Sequence, residues 1–359
     1  MPWRATTIAA VFLPVLAIAG EKPAVIELFE DDTAAIIPLL TMGGIGGGED
    51  VKIEAETTDV FSGKSALRVA PSQRFSPDIK DWRFTITEKP KVGEYRYLRF
   101  AWKKVGDGPL MIQFHTRFPA ADWVIRYQAG PNPPWPANVV SLVTPTDWQV
   151  VTRDLYKDFG AVIVGGIALT PHNGGDGLFD HILLGRTLED LDRATAAAVI
   201  KTPTKAPLTQ AQLTQYWEQV GSVDPIVAET ARWELVRGHA QALPFLARTI
   251  ILPEQKAPKP VDEAIVVPLI ADLTHYRYVR RAAATDALIA RGPGVLPSIR
   301  RECAAAEGDE RTRLRKFLDD WSAREALNTV RLRRCVTLLR SIGTPDANEL
   351  LGKIENALP

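Results

Sequence analysis

YRYLRFAWKK, Tyr95–Lys104, decides the fold of the first half of the chain. Leu98, Phe100 and Trp102 fall on one side of an extended segment; Tyr97, Arg99 and Lys103 fall on the other. A period of two belongs to a β-strand with one apolar face, because successive strand side chains point to opposite sides. LMIQFHT follows, with Leu110, Ile112 and Phe114 inward and Gln113 and His115 outward. WVIRYQ places Trp123, Ile125 and Tyr127 on one face and Arg126 and Gln128 on the other. Further strands are predicted over 51–56, 65–70, 82–87, 139–144, 148–153, 163–170 and 178–184, separated by Gly, Pro, Asn and Asp. Short strands with no helical period between them predict an antiparallel β-sandwich, or jelly roll, over residues 20–193.

The texture changes after Ala194–Pro207 (ATAAAVIKTPTKAP), which reads as a linker over 194–207 from its prolines and small residues. From 208 to 359 the period is helical. Thr209 with Gln212 forms a capping box, as does Ser322 with Glu325. Asp224-Pro225 and Thr344-Pro345 each supply an N-cap followed by proline at the first helical position. Gly238, Gly292 and Gly343 follow expected helix ends and introduce three related segments, GHAQALPFLARTI, GPGVLPSIRREC and GTPDANELLGKIE. The expected fold class is therefore a multidomain β + α chain, a jelly-roll sandwich followed by a repeated helical domain.

IELFEDD, FSGKSALRVAP, GEYRYLRFAWKK and GLFDHILLGR occur in the order found in galactose-binding-like jelly-roll modules. Residues 25–190 resemble that fold, which many carbohydrate-binding modules share, and in particular a version found in exported bacterial proteins. The resemblance implies a structural Ca²⁺ held by Glu30 and Asp180, where hard carboxylate oxygens would tie the first strand to the last. The alternative is that Asp180 simply accepts from a neighbouring backbone N–H, with His181 packed or on the rim. Residues 208–358 resemble HEAT-like repeats, through YWEQVGSVDPIVAETARWELVRGHAQALPFL, LIADLTHYRYVRRAAATDALIARGPGVLPSIRREC and LRRCVTLLRSIGTPDANELLGKI. That family offers binding surfaces and brings no catalytic residues.

Composition narrows the rest. The 359 residues are 46% hydrophobic and 24% charged, with 43 Lys plus Arg against 43 Asp plus Glu. No global charge therefore points to nucleic acid or membranes. Arg4, the apolar run Ala5–Ile18 and Ala17-Ile18-Ala19 read as a signal peptide over 1–19. Export to the periplasm, cell envelope or outside is expected, with no transmembrane segment in the mature chain. Two cysteines, Cys303 and Cys335, permit one disulfide or two buried thiols and exclude c-type haem and cysteine-based zinc. GGIGGGED, Gly43–Asp50, lacks the Lys-Ser/Thr of a nucleotide loop. No GxSxG or HExxH motif occurs, and the five histidines show no ligand spacing.

The candidate ligand residues are the outward ones. Tyr97, Arg99, Gln113, His115, Arg126 and Gln128 form one polar patch if their three strands are neighbours. Trp135, in the Pro-rich loop AGPNPPWPAN, adds an aromatic where no core face is expected. Planar donors beside an aromatic suit sugar hydroxyls or carboxylates; the alternative is a solvated outer face. The expected function is non-enzymatic binding, with a polysaccharide or envelope glycan on the sandwich and a protein partner on the helices. Nucleic acid is not expected. The alternatives are a purely architectural envelope protein, or a hydrolase or lyase using Asp180, His181 and the acidic N-terminus.

Overall fold

A computed structural model describes residues 23–44, 51–132, 134–202, 206–250 and 261–358. The leader over 1–19 and most of GGIGGGED lie outside the described residues. The strands are β1 (Val25–Phe29), β2 (Met42–Gly43), β3 (Ile53–Glu56), β4 (Ala66–Val69), β5 (Arg74–Ser76), β6 (Phe84–Ile86) and β7 (Glu94–Tyr95). They continue as β8 (Tyr97–Lys104), β9 (Leu110–Phe118), β10 (Asp122–Ala129), β11 (Asn138–Ser141), β12 (Gln149–Asp154), β13 (Val162–Pro171) and β14 (Gly177–Gly185). Two short helices, α1 (Thr33–Ile36) and α2 (Leu155–Phe159), interrupt them.

The strands form two sheets. The six-stranded sheet runs β12-β8-β14-β4-β3, with β1 also paired to β14. The eight-stranded sheet runs β11-β10-β9-β13-β5-β2, with β6 and β7 attached at β13. The alternation expected for Tyr95–Lys104 holds: Leu98, Phe100 and Trp102 enter the core between the sheets, beside Ile112, Phe114, Tyr127, Leu169 and Phe179. The single polar group of Trp102 is satisfied there, since its Nε1 donates to Gln149 Oε1 at 2.8 Å.

One expected core residue lies elsewhere. Register slips between Asp122 and Ile125 where β10 pairs with β9. A β-bulge of this kind inserts a residue and reverses which way the following side chains point. Ile125 and Tyr127 stay in the core, but Trp123 packs outside it, edge-on to Phe75 at 5.8 Å and to His115 at 5.1 Å.

The helices are α3 (Leu188–Lys201), α4 (Gln210–Val220), α5 (Pro225–Arg237), α6 (His239–Thr249), α7 (Glu263–Thr274), α8 (Tyr278–Ala290), α9 (Leu296–Ala305), α10 (Gly308–Ile342) and α11 (Pro345–Ala357). The caps at Thr209–Gln212, Asp224-Pro225 and Thr344-Pro345 form as expected. Gly343 closes α10 in the left-handed conformation, φ 67°, that glycine adopts without a Cβ penalty. The linker expected over 194–207 is a correction. Through Lys201 it is the second half of α3, capped by Thr187 and rich in alanine, with Thr195, Ala196 and Val199 buried. Ser322 starts no helix either: it lies inside the 35-residue α10 and its hydroxyl donates to the Leu318 carbonyl.

Two apolar clusters divide the helical region. One joins α3–α6, the C-terminal half of α10 and α11 to Phe61, Ala101 and Val150 of the sandwich. The other joins α7–α9 to Leu314 and Phe317 of α10. α10 therefore bridges both clusters, and α11 packs back on α6. A linear stack in which each hairpin touches only its neighbours does not describe this packing. Cys303 borders the second cluster and Cys335 is buried in the first, so both are free thiols. No described helix is long and apolar enough to cross a membrane.

Candidate functional site

The six-stranded sheet carries the Asp180-His181 pair and Arg99 on its outer face, beneath α3 and α5. Arg99 is 2% exposed. Its Nε donates to Thr152 Oγ1 at 2.9 Å, its Nη1 to Thr195 Oγ1 at 2.9 Å and its Nη2 to Asp192 Oδ1 at 2.8 Å. Arg232 of α5 donates to the same Asp192 oxygen at 2.8 Å and to Glu229 Oε1 at 2.7 Å. Two guanidiniums thus face two carboxylates, which keeps the buried group neutral overall. Burial alone would raise Glu229, but Arg232 and Arg99 outweigh it and hold the carboxyl at about 2. The Trp233 ring lies 4.1 Å from the Arg232 guanidinium and 5.3 Å from that of Arg99.

The register of β14 breaks between Asp180 and Leu183, and His181 sits at φ 53°, a costly conformation for a non-glycine residue. Its contacts hold it there. Thr195 Oγ1 donates to the Leu191 carbonyl at 2.8 Å, so it accepts from His181 Nε2 at 2.8 Å. His181 Nδ1 then meets a Glu30 carboxylate oxygen. Asp180 Oδ2 accepts from the Phe61 and Ser62 amides at 2.9 and 3.1 Å, and its Oδ1 from the His181 amide at 2.7 Å. Burial and Glu30 push the Asp180 carboxyl well above the usual carboxylate range, against the pull of those three amides.

This geometry bears on two expectations. Both oxygens of Asp180 accept amide hydrogens, and those of Glu30 meet Ser62 and His181, so hydrogen bonds within the chain already engage the oxygens expected to hold calcium. The described residues contain no group of three or more His, Cys, Asp or Glu side chains arranged for a metal. Asp180 and His181 are 0% and 1% exposed, so the pair imagined for a hydrolase or lyase meets no substrate. Hydrogen bonds tie the first and last strands together.

The expected polar patch divides between the sheets. Tyr97 and Arg99 lie on β8 of the six-stranded sheet, with Tyr97 half-buried under the Arg96 guanidinium at 5.3 Å. Gln113, His115, Arg126, Gln128 and Trp135 are brought together on the outer face of the eight-stranded sheet. Phe75, Ala168, Gln113 and Arg126 lie in register across β5, β13, β9 and β10. Gln113 Nε2 donates to Thr170 Oγ1 at 3.0 Å, and Arg126 Nε donates to Gln113 Oε1 at 3.0 Å. The Arg126 guanidinium lies 6.0 Å from the Trp135 ring. Beside this row, His115 pairs with Gly166 on β13. A Cβ at Gly166 would come within 2.3 Å of the Ser76 carbonyl oxygen, because the Ser76-Pro77 backbone passes directly over that position.

Two acceptors are left over. Gln128 is 4% exposed and its Oε1 has no partner; His115 Nδ1 is also buried without one. Burial pushes the His115 imidazole below its usual value, so it stays neutral at neutral pH. Unpaired buried polar atoms cost about 1–3 kcal/mol each, and a bound molecule or water satisfies them. Sequence reasoning missed Phe75 and Trp123. The signal for Phe75 was its place in SQRFSP, a run too short to read as a strand, and the bulge hid Trp123.

No family model matches the chain, and no curated protein matches it by sequence. Among solved structures it is similar to the glycoside hydrolase domain of Endo-D from Streptococcus pneumoniae R6. That likeness has 16% identity and a TM-score of 0.29 over 39% of this chain and 21% of that one, so this chain spans about a fifth of that chain's length. It is similar to the family 30 carbohydrate-binding module of a cellulosomal cellulase of Clostridium thermocellum, with 16% identity and TM-score 0.29, over 42% of this chain and 93% of that one. It is also similar to an endo-β-1,4-glucuronan lyase from the fungus Trichoderma reesei, with 15% identity and TM-score 0.26, over 42% and 96%.

Proposed function

We propose that the chain is an exported, non-enzymatic glycan-binding protein that takes a polysaccharide across the outer face of its eight-stranded sheet. One observation carries this reading. Trp123, Phe75 and His115 lie beside Gln113, Arg126 and Trp135 on a face that helices do not cover, over an unpartnered Gln128 Oε1. Aromatic rings stack on the C–H faces of sugars, and amide and guanidinium groups bond their hydroxyls in fixed directions. Among the described residues the terminal nitrogens of Arg126 make no hydrogen bond, because its bond to Gln113 uses Nε alone. They are donors left for a ligand.

The test is affinity electrophoresis of the full chain through gels containing a panel of neutral and acidic polysaccharides. At least one polymer retards the protein, and Trp123→Ala and Trp135→Ala each weaken binding about tenfold, the loss of roughly 1.4 kcal/mol. A folded chain that passes every polymer unretarded, or variants retarded like the parent, would overturn the reading. Calcium and EDTA should leave the retardation unchanged, since hydrogen bonds within the chain already engage the Glu30 and Asp180 oxygens.

A further inference from the structure

We infer that the groove between α8 and α10 is a docking site for an acidic, amphipathic helix of a partner protein. α7 packs against both α8 and α10 and leaves between them an open groove of about 430 Å³. Leu273, Ile289, Phe317 and Trp321 supply apolar surface to it. Leu273 and Phe317 belong to the apolar core beneath the groove, while Ile289 and Trp321 are only partly buried, so the Trp321 ring is the aromatic anchor that the groove offers a partner. Trp321 Nε1 is a buried donor without an acceptor.

Charge identifies the occupant. Arg281, Arg313, Lys316 and Arg324 line the groove against Asp286 and Asp320. Asp320 is already paired with Lys316 at 2.7 Å. Arg281 donates to the His275 and Tyr276 carbonyls, each at 2.8 Å, and Arg313 to the Thr274 carbonyl, and among the described residues neither pairs with a carboxylate. The groove is therefore positive over an apolar floor. Tyr278, which also lines it, is 73% exposed. Tyr, Trp and Arg are the residues enriched at protein-binding surfaces.

Arg313, Phe317, Trp321 and Arg324 stand three or four residues apart on α10, so they form one stripe. The stripe is about 17 Å long, which suits an occupant of about three helical turns. A small anion would satisfy the arginines and leave the aromatic floor wet. The chain's own segment ILPEQKAPKP, residues 251–260, carries two lysines and one glutamate and has the wrong sign. A partner helix with carboxylates beside Leu or Phe fits both features. This inference is independent of the glycan reading.

The test is selection of a displayed library of 16-residue helix-favouring peptides on the full chain, with counter-selection on a Lys316→Glu/Arg324→Glu variant. Both side chains are on the surface, and circular dichroism checks that the variant is folded. Enriched peptides should carry Asp or Glu beside apolar residues, bind the parent at least tenfold more tightly than the variant, and weaken with added salt. Replacing their acids with lysine should restore binding to the variant. Enriched peptides that are neutral or basic, or that bind parent and variant alike, would overturn the proposal. So would a failure to enrich any peptide, or self-association of the parent abolished in the variant, which would make a second copy the occupant.

Discussion

The two outer faces of the sandwich use the same residue types for opposite ends. On the six-stranded sheet, Arg99, Asp180 and His181 are sealed under α3 and α5, and every one has partners within the chain. On the eight-stranded sheet, Arg126, Gln113 and His115 lie under no described helix, and among the described residues their partners run out at Gln128 Oε1, His115 Nδ1 and the Arg126 terminal nitrogens. Alternation alone makes Arg99 and Arg126 look alike. What separates them is whether another element lands on the face. Polar groups enclosed with full partners hold structure, whereas polar groups left short of partners beside aromatics remain available to a ligand.

The comparison can be broken most severely at Arg232. Arg232→Ala strips the enclosed face of a guanidinium and leaves Asp192 and Glu229 undercompensated. Stability should fall by about 3–5 kcal/mol in urea unfolding while glycan affinity per folded molecule stays unchanged. A loss below about 1 kcal/mol would mean that the enclosed network holds nothing. Phe61→Ala tests the same contact through packing. Phe61 is 1% exposed, 5.5 Å from the His181 ring and 5.1 Å below the Arg237 guanidinium. Its loss should cost about 3 kcal/mol by leaving a cavity between sandwich and helices.

Acid sharpens the comparison. Glu229 titrates at about 2 in the folded chain against an ordinary 4.5. The unfolded chain therefore takes up that proton first as pH falls. The stabilisation from Glu229 is present above about pH 4.5 and lost towards pH 2, roughly 3 kcal/mol in all. Asp180, pushed the other way, works in the opposite sense over its own range. The difference between parent and Glu229→Gln isolates the first effect: the parent's unfolding free energy should drop more steeply over pH 4.5–2. Parallel curves would show that Glu229 is not held by its arginines. The smallest stability change is expected on the open face, where Trp135→Ala should cost about 1 kcal/mol or less while weakening glycan binding tenfold.

How much of this was legible follows the same division. The strand pattern of Tyr95–Lys104 was readable because the sheet buries one face with a period of two. Helix starts at Thr209, Asp224 and Thr344 were readable because capping is local chemistry. Arg99 was misplaced because nothing near it in sequence announces that α5, more than a hundred residues on, will cover it. Trp123 was misplaced by a bulge, which changes phase without changing composition. Ala194–Lys201 read as a linker because small residues serve helices and loops alike, and tertiary burial of Val199 decides between them. The grouping of Gln113, His115, Arg126, Gln128 and Trp135 was legible; Tyr97 and Arg99 entered it because strand order across a sandwich is non-local.

The most direct measurement is a thermal-shift screen of the full chain against soluble polysaccharides, run in parallel on Trp123→Ala and Arg232→Ala. At least one polymer should raise the midpoint of the parent and of Arg232→Ala by the same increment, and that of Trp123→Ala by clearly less, because only the open face binds. A shift that is undiminished in Trp123→Ala and vanishes in Arg232→Ala, or a parent that no polymer stabilises, would contradict the account.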